Sequence, residues 1–274
     1  MSEERAIMPG RKTNSAALGS VHSRLMKLHL NTMADELMKM DGSGELYTKS
    51  ALDILDQLTS LQEISSDNSA TDRYKKAAKL YWPMADLSDI LYIPERHINA
   101  AMVDKLKTNE YIKSGLNVMM SSATGCGKTF FACAFGNNAC ESQYTVRYFT
   151  MAELLYSFKT AEDTGKYVKL LNKLANTNLI IIDDFLLTSV EQRDVEYLYR
   201  LISSKTKRNR PRSFIICSQL MPDEMYTRLS AVSPSLADGI INRLVSKAYT
   251  FEIKGNSMRE LDIPAELIRQ KDNK

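Results

Sequence analysis

The sequence predicts an α/β fold with a five-stranded parallel sheet, preceded by an all-helical N-terminal region. Short apolar runs alternate with helix-like stretches from about residue 116 onward, and such alternation is typical of a parallel sheet with helices on both faces. The run at 179–182 is apolar without interruption, as expected for a strand buried on both faces. Upstream, the apolar residues of 21–80 recur at helical spacing, so no strand is predicted there.

The elements of the α/β part follow from this alternation. Strands are predicted near 116–121, 145–149, 179–183, 213–217 and 248–253. Helices are predicted near 98–114, 128–142, 151–158, 166–176, 189–206 and 235–246. These bounds place an α/β domain at residues 98–260, followed by a polar C-terminal tail at 261–274.

The N-terminal part divides into a polar segment and three predicted helices. Residues 1–20 are polar and contain Pro9-Gly10, so they are expected to be disordered. A first helix at about 21–40 is predicted to bury one stripe, and a second at 50–64 another. A third, basic helix at 71–80 is expected after a break at 65–69, which is rich in helix-capping residues. The two predicted buried stripes are Met26, Leu30, Met33, Leu37 and Met40, and Leu52, Leu55, Leu58 and Leu61.

A phosphate-binding motif lies between the first predicted strand of the sheet and the helix that follows it. The string from Thr124 to Thr129 reads T-G-C-G-K-T, and its strand–turn–helix context is the one that such a loop requires. Glycine permits the tight turn that points N–H groups inward, and the helix adds its positive end. Ser122 stands where the usual pattern has glycine, and a positive φ there would strain the loop. The residues predicted to hold the nucleotide are Ser122, Ala123, Thr124, Gly125, Cys126, Gly127, Lys128, Thr129 and Phe130.

The motif and two downstream carboxylates predict ATP and Mg²⁺ as cofactors. Lys128 is expected to reach the β- and γ-phosphates, and the Thr129 hydroxyl to ligate Mg²⁺. Asp183 and Asp184 end the run at 179–182, at the sheet edge where open α/β sheets bind ligands. Asp183 is predicted to hold Mg²⁺, directly or through water. Asp184 is predicted to orient or deprotonate the attacking water.

Two further positions are candidates for nucleotide chemistry. Ser218 and Gln219 follow the fourth predicted strand, and one or the other is expected to lie beside the γ-phosphate and sense it. Arg243 follows Ile240 and Ile241 but lies off their helical face. It could act as an arginine finger on the nucleotide of a neighbouring subunit, or it could be an ordinary surface arginine.

The charge balance excludes a broadly cationic protein, because the formal net charge is only +3. Any nucleic-acid contact must therefore come from local clusters. One cluster lies in the basic helix at 71–80, and another spans 205–212. Each is either a contact to a phosphate backbone or a solvated charged face. The residues predicted to contact DNA are Arg73, Lys75, Lys76, Lys79, Lys205, Lys207 and Arg208.

Other sequence features favour an intracellular protein without a metal or disulfide framework. There is no apolar run of eighteen residues and no secretory apolar segment at the N-terminus, so a cytoplasmic protein without membrane contact is expected. The four cysteines form no C-x-x-C pair and are predicted to be buried thiols.

Beyond the generic ATPase motifs, the chain resembles the IstB-like ATP-binding proteins, AAA+ ATPases that assist a transposase. The likeness covers roughly residues 21–260. Its most specific stretches are Leu236-Ala237-Asp238 through Arg243-Leu244 and the segment from Glu252 to Arg259. Further similar stretches are Leu30 to Leu37, the basic helix running into Trp82-Pro83, Tyr144 to Tyr148 with Ala152 to Leu155, Asp183-Asp184-Phe185 and Ser218-Gln219.

The resemblance implies an AAA+ ATPase domain at 98–260 and a helical region at 21–97 that serves DNA binding and oligomerisation. It also implies a ring or filament of subunits around duplex DNA that recruits and stimulates an integrase-type transposase. By position, Arg243 matches the trans-acting arginine, Asp184 replaces the more usual glutamate, and Phe185-Leu186 replaces the common Phe-Gly. Two alternatives stay open: a DnaC-type loader of the replicative helicase, and a nucleotide-binding scaffold without useful turnover.

Overall fold

The computed structural model describes residues 11–92, 94–204 and 211–254, except for the side chains of 11–15 and 95. It divides into two compact units, residues 1–72 and 73–274. The helices are α1 (Arg11–Lys27), α2 (Asn31–Ser43), α3 (Ala51–Ala78), α4 (Ala100–Lys107), α5 (Glu110–Lys113), α6 (Lys128–Glu141), α7 (Met151–Asp163), α8 (Tyr167–Ala175), α9 (Gln192–Ser203), α10 (Pro222–Ser230) and α11 (Pro234–Val245). The strands are β1 (Asn117–Ser121), β2 (Val146–Thr150), β3 (Leu179–Asp183), β4 (Ser213–Ser218) and β5 (Ala248–Glu252).

The second unit is built on a five-stranded parallel sheet, which confirms the predicted fold class. The strand order is β2-β3-β4-β1-β5, and every pair is parallel. Successive side chains of a strand point to opposite faces. On β3, Leu179 and Ile181 therefore pack with α4, α5 and α6, whereas Ile180 and Ile182 pack with α7, α9 and α11. The uninterrupted apolar run of this strand reflects two buried faces.

The first unit, described from residue 11, is helical as predicted, but its helix bounds differ. Residues 11–20 belong to α1, where disorder was expected, because Leu18 and Leu25 pack into the cluster of Leu37, Met40 and Leu58. The predicted helix at 21–40 is interrupted at 28–30, where His29 has a left-handed φ of 60°. The predicted stripes are only partly buried, since Met26, Leu52 and Leu55 are exposed.

The break predicted at 65–69 is absent, and α3 runs from Ala51 to Ala78 as one helix. The segment contains no glycine or proline, and serine, asparagine and aspartate each cost well under ~1 kcal/mol in a helix. Its side chains are mostly exposed, where water offsets their competition with the helix backbone. A second difference is α10, which was not predicted. It begins with Pro222 and carries acidic residues in its first turn, which are signals for the start of a helix.

The boundary between the compact units falls after Asp72, whereas the α/β domain was predicted to begin at residue 98. The reason is that the segment after α3 belongs to the core of the sheet. Leu80 is buried against α6, and an ideal Cβ on Gly136 would lie 2.8 Å from Leu80 Cδ2. Asn137 Nδ2 also donates to the carbonyl oxygens of Pro83 and Ala85, at 2.9 and 2.8 Å.

Asn117, at the start of β1, connects three elements of the second unit. Its Nδ2 donates to the carbonyl oxygens of Arg243 and Leu244, at 2.9 and 3.0 Å. Its Oδ1 accepts from the Phe214 N–H at 3.0 Å. The side chain is 5% exposed, so these bonds fix the end of α11 to the starts of β1 and β4.

Two findings concern the whole described chain. Among residues 11–92, 94–204 and 211–254, no helix is long and apolar enough to cross a bilayer. All four cysteines are buried and free of disulfides, as predicted, and burial raises the pKa of Cys133 to about 11. Their burial fits a role in packing.

Candidate nucleotide-binding site

The predicted phosphate-binding loop spans residues 122–127 between β1 and α6. Gly125 and Gly127 have left-handed φ values of 85° and 92°, which glycine adopts without a Cβ penalty. Ser122 is not among the residues with a positive φ, so its replacement of glycine causes no strain of the predicted kind. Its N–H donates to the Ser218 carbonyl at 3.3 Å, which extends the pairing of β1 with β4 into the loop.

Lys128 is held at this loop by three acceptors. Its Nζ donates to the carbonyl oxygen of Ser122 at 2.7 Å, to Ser122 Oγ at 3.0 Å and to the Ala123 carbonyl oxygen at 3.0 Å. The side chain is 8% exposed, and burial lowers its pKa below the usual value. The serine that departs from the usual motif therefore contributes two of the three contacts that position the ammonium group.

Thr129 and Asp183 meet as the sequence predicted. Thr129 Oγ1 donates to Asp183 Oδ2 at 2.6 Å, and the Tyr148 hydroxyl donates to the same oxygen at 2.9 Å. The Asp184 N–H donates to Asp183 Oδ1 at 2.9 Å. Asp183 is 3% exposed, so its charge is stabilised by three uncharged donors. The charge of Lys128 also acts on Asp183, and a bound cation would offset the remaining cost of burying this carboxylate.

This donor set fits Mg²⁺. A hydroxyl and a carboxylate are the hard oxygen ligands that Mg²⁺ prefers, and this ion usually keeps several waters and binds substrate phosphates rather than an all-protein cage. In the described parts of the chain, no group of three or more His, Cys, Asp or Glu side chains could hold a metal ion. The protein thus offers Thr129 and Asp183, and a nucleotide would complete the coordination.

Asp184 differs from Asp183 in exposure, backbone and charge environment. Its side chain is exposed, and its φ of 52° lies in the left-handed region. Among residues with a side chain, Asp and Asn tolerate this region best. Burial and then the charge of Asp183 raise the pKa of Asp184 above its usual value. A carboxylate with a raised pKa is a better proton acceptor, so this geometry suits the predicted general base.

Ser218 was predicted to sense the γ-phosphate, a role that stays a prediction, and its hydroxyl makes structural contacts. Its Oγ donates to the Phe185 carbonyl at 2.7 Å and accepts from the Leu220 N–H at 3.1 Å. The residue is fully buried. Its hydroxyl therefore connects β4 to the loop that follows Asp184. Gln219 is exposed just beyond the strand, and its role as a sensor stays a prediction.

Arg243 is exposed on α11. Its Nη1 donates to the Gly239 carbonyl at 2.7 Å, and its guanidinium carbon lies 5.4 Å from the centre of the Tyr199 ring. An ideal Cβ on Gly239 would lie 2.6 Å from the Tyr199 ring, so glycine is needed for this close packing. The structure does not bring Arg243 to the phosphate-binding loop, because the backbone of Arg243 is bonded to Asn117 at the opposite end of β1.

A comparison with protein families identifies the family of the chain. A model of the IstB-like ATP binding protein family matches residues 23–262. The chain belongs to this family.

Relatives of this IstB-like chain come from insertion sequences. An insertion sequence ATP-binding protein of Sinorhizobium fredii is 30% identical over 243 residues, which cover 89% of this chain and 96% of the relative. The ATP-binding protein of insertion sequence IS1162 from Pseudomonas fluorescens is 29% identical over 198 residues, which cover 72% of this chain and 84% of the relative.

Solved structures show that the fold is shared with replication proteins. AMPPCP-bound DnaA from Aquifex aeolicus matches with a TM-score of 0.53 and 20% identity, over 69% of this chain and 56% of that chain. DnaI matches with a TM-score of 0.50 and 16% identity, over 64% of this chain and 90% of that chain. At these identities the likeness concerns the P-loop AAA+ fold alone.

The IstB-like chain departs from the usual Phe-Gly after its acids, and the structure shows the consequence. Leu186 has a left-handed φ of 57° and is fully buried. That backbone costs a leucine about 1–2 kcal/mol, whereas burying its side chain contributes about 1.5–3 kcal/mol. Arg228 Nη1 also donates to the Leu186 carbonyl at 2.5 Å. Packing therefore compensates for the missing glycine.

The predicted DNA contacts are only partly described. Arg73, Lys76 and Lys79 are exposed at the end of α3, but Lys75 pairs with Glu141 at 2.8 Å. Lys205, Lys207 and Arg208 lie outside the described residues. Arg212, from the same cluster, is bonded to the carbonyl oxygens at the end of α9, which makes it a structural residue.

Three sets of residues near the site were missed. Tyr148 lies in a stretch of family resemblance but was given no role, and the pairing of β2 with β3 brings it to Asp183. Arg96 lies behind the phosphate-binding loop, with no sequence signal. Arg147 and two lysines of α8 form a basic surface with Lys79. Lys169 and Lys173 are four residues apart in α8, a spacing that puts both on one face of a helix and could have indicated this basic face.

Proposed function

We propose that this IstB-like protein is a cytoplasmic, Mg²⁺-dependent ATPase that assembles as a ring or filament on duplex DNA. In the same proposal, the assembly recruits and stimulates an integrase-type transposase and so takes part in the choice of its target site. The observation that carries the proposal is the separation of the phosphate-binding loop from Arg243. One lies at each end of β1.

The separation favours an arginine that acts between subunits. The five residues of β1 span about 16 Å at ~3.3 Å per residue, and the loop begins directly after Ser121. Arg243 is fixed beside Asn117, at the start of the strand. An arginine at that end suits the nucleotide of a neighbour. Contacts of this head-to-tail kind generate rings or filaments rather than closed two-fold dimers.

Within one subunit, the described residues supply the parts of a phosphoryl-transfer site. The N–H groups of the loop and Lys128 would stabilise the phosphate charge, and Thr129 with Asp183 would hold Mg²⁺. Bound Mg²⁺ would neutralise charge on the phosphate oxygens and orient them. Asp184 would position the attacking water and accept its proton. The exposed Asp184 carboxylate beside Asp183 at the end of β3 favours turnover over the alternative of a nucleotide-binding scaffold.

A basic surface at the β2 edge of the sheet supports binding of a phosphate backbone. Lys169 and Lys173 line a groove between α7 and α8. The charge of Arg147, followed by burial and the charges of Lys79 and Lys169, lowers the pKa of Lys173. These cations therefore repel one another. Such a surface gains free energy when a polyanion binds and releases counterions. The DNA contacts would thus extend from the basic end of α3, at Lys79, onto α8.

The transposase partner rests on family membership. The relatives named above are insertion sequence ATP-binding proteins, which favours transposition. The helicase-loader alternative has support only from fold likeness to DnaI, at 16% identity. We therefore propose an integrase-type transposase, rather than a replicative helicase, as the partner.

The test of ATPase and DNA activity measures steady-state ATP hydrolysis and DNA binding across a salt series. ATP-dependent binding with a steep salt dependence and little sequence preference is expected. Charge reversal at Lys79, Lys169 and Lys173 should weaken binding equally for all sequences and flatten the salt slope by about one unit per lost phosphate contact. Charge reversal at the exposed Lys113, which pairs with Glu110, is the matched control. If the salt dependence of DNA binding is unchanged, this surface is a solvated charged face and does not contact DNA.

The partner is tested by mixing the protein with a transposase of its insertion sequence and, separately, with a replicative helicase. ATP-dependent co-sedimentation on duplex DNA with the transposase alone is expected. Electron microscopy with ATP and DNA then gives the assembly. Helicase binding in place of transposase binding would select the loader alternative.

A further inference from the structure

Arg96 is a buried arginine directly behind the phosphate-binding loop. It ends the 3₁₀ helix Pro94–Arg96 and is 5% exposed. Its Nη2 donates to the Cys126 carbonyl at 2.9 Å, and its Nη1 donates to the Leu91 carbonyl at 3.1 Å. Its guanidinium carbon lies 5.3 Å from the centre of the Phe131 ring, on the first turns of α6. The side chain therefore contacts both the loop and the helix that starts from it.

The bond to Cys126 determines the direction of one loop N–H. A trans peptide is planar, and its C=O and N–H point in opposite directions. Because the Cys126 carbonyl points at Arg96, the N–H of Gly127 in the same peptide points away from Arg96, toward the other side of the loop. A loop that cradles phosphate needs its N–H groups on that inner side.

The loop is shaped to admit the guanidinium group. An ideal Cβ on Gly127 would lie only 3.0 Å from Arg96 Nη2, and Gly127 has a φ of 92°. Glycine at this position therefore meets two demands, the left-handed backbone and the approach of Arg96. The contact is a built feature of the site rather than a surface arginine that happens to lie nearby.

The charge of Arg96 has no anionic partner in the part of the chain that the structure describes. Arg96 takes part in none of the ion pairs found there, and its Nε has no hydrogen-bond partner among the described residues. Burial lowers the pKa of Arg96 from its usual value. A buried cation without a counterion is costly, and a polyphosphate in the loop would supply the missing negative charge.

We propose that Arg96 is a positioning residue of the nucleotide site: through the Cys126 carbonyl it aims the Gly127 N–H at the phosphates, and its charge favours a polyphosphate in the loop. The inference rests on the proposed function in one respect, that the loop holds ATP. The site would then contain two cations, Lys128 beside the loop and Arg96 behind it.

The experiment compares wild type, Arg96→Met and Arg96→Lys by calorimetric titration with ATP and ADP and by thermal unfolding without nucleotide. Arg96→Met should weaken both nucleotides by about 10- to 100-fold, the weight of a hydrogen bond to a charged group, with little change in Tm. Arg96→Lys keeps the charge and can donate to the Cys126 carbonyl, so it should recover most of the affinity.

Wild-type affinity in Arg96→Met would overturn the inference. So would an Arg96→Lys variant that is as weak as Arg96→Met and has a lowered Tm, because Arg96 would then be a structural strut. If Arg96→Met does not fold, Arg96→Gln replaces it: affinity below that of Arg96→Lys supports the inference, and equal affinity contradicts it. The failure of wild type to bind ATP would instead contradict the proposed function.

Discussion

Lys128 and Arg243 are the two cations that the proposed function places at ATP, one within its own subunit and one at a neighbour's nucleotide, and they differ in burial and in contacts. Lys128 is 8% exposed and held by three acceptors of its own loop. Arg243 is exposed, and its side chain donates to the preceding turn of its own helix and lies over the face of Tyr199. A cation that serves its own subunit can be positioned and desolvated in advance. A cation that serves a neighbour must stay in water until the neighbour arrives.

Lys128→Ala tests the buried side of this comparison and should have the largest effect. We expect no measurable turnover and a loss of more than about 10² in ATP affinity, since a charge-assisted contact in a water-poor site is worth several kcal/mol. Nucleotide binding is measured by titration, with the exposed Lys113→Ala as the control. An unchanged affinity for ATP would contradict the assignment of this loop as the nucleotide-binding site.

Arg243→Ala tests the exposed side. ATP binding by the isolated subunit should be unchanged, whereas ATP-dependent assembly is lost and hydrolysis falls by about 10³–10⁵, the typical weight of an arginine finger. The neighbouring exposed Lys247→Ala is the matched control. Analytical ultracentrifugation with ATP and a turnover assay give the two readouts.

Mixing the two variants separates action within a subunit from action between subunits. Each of Lys128→Ala and Arg243→Ala lacks one half of the proposed interface, so a mixture should regain part of the hydrolysis. If co-assembled subunits remain as inactive as the separate variants, Arg243 does not act on a neighbour's nucleotide.

Asp184→Asn should leave ATP bound and slow hydrolysis by about 10²–10⁴, the usual contribution of a general base. Asparagine keeps the left-handed backbone at this position, so the fold is preserved. The raised pKa of Asp184 means that the base becomes protonated at a higher pH than an ordinary aspartate. In wild type, activity should therefore fall as the pH drops through this raised pKa, and the residual rate of Asp184→Asn should lack this acid limb. If the two proteins have the same pH profile, Asp184 is not the general base, and Asp183 is the next candidate.

Tyr148→Phe should have the smallest effect. The change removes one of three donors to the carboxylate of Asp183, and loss of such a supporting contact typically costs about 10-fold in metal affinity. ATP titrations across a Mg²⁺ series should show a higher Mg²⁺ requirement, with unchanged affinity for ATP in EDTA. Tyr156→Phe, at a tyrosine that is 72% exposed, is the control. An unaltered requirement would make the Tyr148 contact incidental.

The sheet was predictable because each of its strands is a local pattern. β3 was predicted at its observed bounds, and the contact of Thr129 with Asp183 followed from two motifs at the same sheet edge. The N-terminal helices were harder to predict. Their bounds depend on which apolar residues are buried, and Leu52 and Leu55 are exposed and lie outside the cluster of Leu37, Met40 and Leu58.

The part of the site that could not be predicted consists of contacts between distant segments. Ser218 was expected at a phosphate, but its hydroxyl bonds the backbone of a loop that lies beside it only in the fold. Tyr148 and Arg96 approach the site through the order of strands and through packing on α6. No residue pattern within a short window carries that information.

Asn117 determines how far apart Lys128 and Arg243 lie within one subunit. Its side chain fixes the end of α11 to the start of the strand whose other end is the phosphate-binding loop. Within each subunit, the backbone at Arg243 is therefore held at a fixed distance from the loop, while the Arg243 side chain is exposed. In the proposed assembly, this fixed distance would limit how a neighbouring subunit can dock, because the neighbour's ATP must come within reach of the Arg243 side chain.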